Sequence, residues 1–67
     1  MTTFAQVLDD VRRDRAHRLI VTTELPLRQI SALVGLSDQT AFTRACRRWF
    51  GCSPRELRRA ATHHAVL

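Results

Sequence analysis

The spacing of apolar and polar residues predicts four helices and no strand, since no run of β-branched residues alternates with polar ones between turn residues. The first helix covers about residues 4–21. Leu8, Val11, Ala16, Leu19 and Ile20 recur near helical spacing and mark its inward face. Asp9, Asp10, Arg13 and Asp14 mark a solvated face of near-neighbour ion pairs. Thr3 is the expected N-cap, with Gln6 three residues on completing a capping box. A short connection leads to a second helix over about 26–34. Pro26 opens it, and Leu27, Ile30, Leu33 and Val34 face inward. Gly35 stands where a helix ends in a left-handed residue.

Leu36 and Ser37 make a tight turn, with Ser37 as the expected N-cap of a third helix and Asp38 in its first turn. This helix runs to about Phe50. At 100° per residue, Ala41, Phe42, Ala45, Cys46, Trp49 and Phe50 share one half of the wheel. Thr40, Thr43, Arg44, Arg47 and Arg48 share the other, with Gln39 at the boundary. Gly51 ends the helix. Ser53-Pro54-Arg55-Glu56 then reads as N-cap, first-position proline and capping-box glutamate of a fourth helix reaching about Thr62. Residues 63–67 are expected to fray. The chain is therefore all-α, a small helical bundle.

Composition narrows the function. Sixty-seven residues with 45% apolar content make one small globular domain. No apolar run is long enough to span a membrane, and residues 1–20 lack the layout of a secretory signal. Two cysteines, Cys46 and Cys52, suit a reducing, cytoplasmic setting. The charge is uneven. Residues 1–27 hold four acids and four arginines, whereas residues 28–67 hold seven arginines against Asp38 and Glu56, so the whole excess of +5 lies in the second part. That asymmetry is the footprint of a polyanion binder. An arginine-rich solvated surface is the blander reading of the same feature.

Helix, glycine turn, helix, with short polar groups early on the second helix and arginines beyond, is a helix-turn-helix layout. A helix with its side chains fits the major groove of B-DNA, and its N-terminal residues reach base edges. Gln39 offers an amide to adenine, Thr40 a hydroxyl and a methyl, and Arg44 a bidentate fork to guanine. Arg47 and Arg48 lie further along, where phosphates are nearer than bases, and Thr43 shares their face. The free N–H groups opening the second helix, with Arg28 close by, suit another phosphate.

The run from Leu27 to Arg58 also resembles the C-terminal helix-turn-helix of the AraC/XylS transcription regulators. The matching pieces are Ile30-Ser31, Val34-Gly35-Leu36-Ser37-Asp38-Gln39, Phe42-Thr43-Arg44, Arg47-Arg48, Phe50-Gly51, Ser53-Pro54 and Arg58. Upstream, Phe4, Leu8, Arg12, Ala16, Leu19 and Ile20 resemble the long helix linking the two halves of that family's DNA-binding domain. The resemblance implies a linker-type helix over 1–22 and a helix-turn-helix subdomain with a following short helix over 23–62. It implies sequence-specific binding of double-stranded operator or promoter DNA, with residues 38–50 in the major groove and Gln39, Thr40 and Arg44 on the bases. RNA polymerase is a further partner to expect. The family has two helix-turn-helix units and often a sensor domain, so the chain reads as a fragment or a truncated product. Ala41, Cys46 and Leu57 depart from the family pattern. An alternative is a protein-interaction bundle that does not read DNA, using the apolar face of the first helix.

Other signals carry less. Cys46, Cys52, His63 and His64 lack zinc-finger spacing, so no metal or other cofactor is expected. Trp49 and Phe50 belong with Phe42 in the core rather than serving as stacking platforms. His17 reads as a solvated surface residue. No nucleophile with a base at a defined spacing and no phosphate loop occurs, so catalysis is not expected.

Overall fold

The computed structural model describes residues 3–65, with side chains through Ala61. It contains four helices, α1 (Phe4–Thr22), α2 (Leu27–Leu33), α3 (Gln39–Phe50) and α4 (Pro54–Ala65), and no strand among the described residues.

Local chemistry sets each boundary. At the start of α1 the Thr3 hydroxyl accepts from the Gln6 N–H (3.2 Å), and the Gln6 carboxamide accepts from the Thr3 N–H (3.1 Å). This is the expected capping box. The end of α1 has no glycine. Thr22 and Thr23 instead turn their hydroxyls back onto the carbonyls of Arg18 and Leu19. Pro26 sits one position earlier than expected, as the N-cap of α2, and its carbonyl accepts from Gln29 and Ile30 (2.9 and 3.1 Å).

The turn from α2 to α3 closes as a Schellman motif. Leu36 N–H donates to Ser31 O (2.7 Å), Gly35 N–H donates to Ala32 O (3.0 Å), and Gly35 has φ +85°. The N-cap of α3 is Asp38 rather than Ser37: its carboxylate accepts from the Thr40 N–H at 3.0 Å. A carboxylate is the stronger acceptor and adds negative charge at the positive helix end. Gly51, at φ +76°, ends α3. The Ser53–Glu56 capping box forms with both bonds at 3.1 Å. These bonds hold the Glu56 carboxyl below its ordinary pKa. Helix α4 continues to Ala65, past the expected end at Thr62. Of the tail expected to fray, 63–65 are helical, their side chains lie outside the described residues, and so do 66–67 altogether.

The core is built on Ala16, Ile20, Ile30, Val34, Phe42 and Cys46, with Leu19, Leu25, Trp49, Phe50 and Leu57 packed around it. Three expectations fail. Periodicity predicts Leu8, Val11 and Leu33 as inward-facing, but they are 38%, 49% and 46% exposed. The fully buried residues of α1, Ala16 and Ile20, both lie in its C-terminal half. Phe4, Val7, Leu8 and Val11 form a second apolar arc, rotated roughly 150° from the first at 100° per residue. On α2 the fourth inward position goes to Ser31, fully buried, because one seven-residue helix cannot turn both Leu33 and Ser31 inward.

Candidate nucleic-acid interface

The Schellman turn fixes how α3 leaves α2, and the buried Phe42 and Cys46 fix which side of α3 faces out. Thr40, Arg44, Arg47 and Arg48 are all exposed, so one side of the helix is hydroxyl and guanidinium. Thr43 is half-buried at the edge of that side. Gln39, in the first position of α3, donates its amide to the Ser31 hydroxyl at 3.3 Å, and that hydroxyl donates to Arg28 O at 3.0 Å. This chain ties the start of α3 to the body of α2. Arg28 is exposed in the first turn of α2, apart from the arginines of α3.

The arginines of α3 are not equivalent. Arg44 and Arg47 form no ion pair among the described residues, although Arg47 lies near enough to Glu56 to help hold its carboxyl down. Arg48 donates from Nη2 to Asp9 Oδ1 at 2.7 Å and lies over the Trp49 ring, 5.7 Å from its centroid. The Trp49 indole N–H donates to the other oxygen of Asp9 at 3.0 Å. Both carboxylate oxygens of Asp9 therefore hold adjacent residues of α3. Local spacing predicts solvated pairs between Asp9 and its neighbours on the first helix. Asp10 and Asp14 do keep such a neighbour in Arg13, at 3.6 and 3.4 Å. No local pattern could have revealed a partner 39 residues away.

Between α1 and α3 lies a half-open cavity of about 530 Å³, lined by Asp9, Arg12, Ala41, Arg44, Arg48 and Trp49 among others. Arg12 is half-buried, with its guanidinium against Gly35 in the turn. Trp49 and Phe50 pack on the core as expected, ring edge to face at 5.9 Å. His17 is exposed, and its ring also tilts onto Phe50 at 5.6 Å.

Burial pushes the Cys46 thiol up to about 11, with the nearby Cys52 adding to the shift. No group of three metal-ligating side chains occurs among the described residues, and the side chains of His63 and His64 lie outside them. No helix among the described residues is long and apolar enough to cross a membrane.

Residues 1–60 match a family described as a helix-turn-helix domain. The ornithine utilization regulator of Pseudomonas aeruginosa is 48% identical over 59 residues, 88% of this chain and 17% of the relative. The HTH-type transcriptional regulator VirS of Mycobacterium tuberculosis is 44% identical over 52 residues, 78% of this chain and 15% of the relative. The regulator VqsM of Pseudomonas aeruginosa is 38% identical over 56 residues, 84% of this chain and 17% of the relative. The chain thus spans about a sixth of the length of the relatives it matches. No solved structure matches it. With its Schellman turn, outward guanidinium helix and family match over nearly its whole length, the chain belongs to the AraC-type helix-turn-helix family of transcription regulators.

Proposed function

We propose that this chain is the sequence-specific, double-stranded-DNA-binding module of a bacterial transcription regulator, acting in the cytoplasm by binding and not by catalysis. The observation that carries the reading is the outward face of α3. It presents Thr40, Arg44, Arg47 and Arg48 to solvent directly after a turn that sets the helix off from α2. A helix so exposed fits the major groove, with its N-terminal residues over base edges and later arginines at the backbone.

Thr40 and Arg44 read bases in this arrangement. Gln39 joins them when its amide exchanges Ser31 for adenine. Arg28, Thr43 and Arg47 meet phosphates, and Arg48 could join them only if Asp9 released it. One such module buries limited surface, so its affinity is modest and falls steeply as salt rises.

Selection of bound duplexes from a randomised library, followed by fluorescence anisotropy at two salt concentrations, tests the reading. The expected result is an enriched sequence pattern and binding that weakens with salt. Absence of binding to any duplex at low salt would overturn it in favour of a protein-contact role.

A further inference from the structure

Asp9 is the one acid of α1 whose partners lie on α3. Its Oδ1 accepts from Arg48 and its Oδ2 from the Trp49 indole, at 2.7 and 3.0 Å. The indole is itself packed against the core, so the carboxylate is held from a fixed point. Arg48 is thereby offered an anion before any nucleic acid arrives. Its side chain remains 66% exposed, so the pair stands at the surface where a backbone phosphate would compete for the same guanidinium. Exposed pairs of this kind contribute little to folding stability. Their effect on a polyanion partner is larger, because each arginine that neutralises a phosphate releases counterions and each one withheld does not.

We propose that Asp9 is a positioning residue that acts through Arg48 as an internal competitor for the DNA backbone, setting the number of phosphates the module neutralises. The proposal rests on the DNA-binding reading above. In the free protein the Asp9 carboxylate occupies Arg48, and in the complex it keeps Arg48 from a phosphate while Arg47, one position earlier and in no ion pair, makes its contact. The effect is independent of base sequence, so it lowers affinity for operator and arbitrary DNA alike.

The test uses the whole chain, a labelled duplex of arbitrary sequence and a potassium chloride titration between about 50 and 200 mM, where affinity falls with a slope near −0.9 per neutralised phosphate. Asp9→Asn, which keeps an acceptor for the indole, is expected to bind roughly three- to tenfold tighter at the low-salt end and to steepen the slope by about 0.9. Adding Arg48→Ala to Asp9→Asn should remove both changes. An unchanged slope in Asp9→Asn overturns the proposal, as does a gain that survives loss of Arg48. Arg48→Gln and Arg47→Gln supply a second comparison that does not depend on how Asp9→Asn folds. Arg48→Gln should leave the slope unaltered and Arg47→Gln should flatten it by about 0.9. Equal flattening by both again overturns the proposal. Wild-type protein that binds no duplex at low salt sinks the DNA reading itself, and the proposal with it.

Discussion

Arg12 and Gly35 meet across the turn of the helix-turn-helix: a Cβ placed on Gly35 would lie 3.3 Å from the Arg12 Nη2. Gly35 also has φ +85°, a region costing an L-residue about 1–2 kcal/mol. Gly51, at φ +76°, has nothing within 4 Å of the same hypothetical atom. Gly35→Ala is therefore expected to lose the backbone cost of about 1–2 kcal/mol and, in addition, the cost of displacing Arg12, while Gly51→Ala loses only the backbone cost of about 1–2 kcal/mol. Urea unfolding of the two variants checks this, and a larger loss for Gly51→Ala would contradict it.

Phe42 is the largest of the fully buried side chains. Its truncation to alanine should cost about 3–5 kcal/mol. A domain of this size has roughly that much stability in total. Phe42→Ala is accordingly expected to show no cooperative thermal transition by far-UV circular dichroism, whereas Phe42→Leu keeps a transition at lower temperature.

Arg44 and Arg47 separate base reading from backbone contact. Arg44→Ala should flatten discrimination at one or two base pairs of a selected sequence by about 1–3 kcal/mol. Arg47→Ala should weaken all sequences about equally and reduce the salt slope by about 1. Competition binding against single-base variants of the selected duplex makes the measurement. Equal losses on selected and random duplexes for both mutants would contradict the division of roles.

The cysteines give a pH prediction. Cys46 titrates at about 11 in the folded chain against an ordinary value of 9.0. The unfolded thiol loses its proton first, so between those values the folded state binds more protons. Stability should then fall as pH rises from 9.0 towards about 11. Replacing Cys46 with alanine should flatten that part of the profile. At neutral pH a thiol reagent should modify the half-buried Cys52 quickly and Cys46 only on unfolding.

The local signals in the sequence carried most of the architecture. Capping boxes at Thr3–Gln6 and Ser53–Glu56, and glycines at 35 and 51, act within a few residues, and the helices begin and end near where those signals stand. The apolar side of α3 was legible for the same reason, since a helix repeats its faces regularly. Long-range partners were not. The periodicity of α1 runs through two arcs, and only tertiary packing decides that Ala16 and Ile20 are covered while Leu8 and Val11 are not. The Asp9 contact to Arg48 and Trp49 and the Gln39 contact to Ser31 join helices whose relative placement no local spacing encodes.

The Nε of Arg58 donates to the carbonyl of Ile20 at 3.1 Å. That oxygen is one of the last four of α1, for which no helical donor remains. A cation from the C-terminal helix thus closes the negative end of the first helix. Helix α4, through this bond and through Leu57 on the core, is therefore part of the frame that holds α1 against the two-helix motif. A version cut after Gly51 would retain every arginine of α3 yet leave the frame that orients them without its clasp.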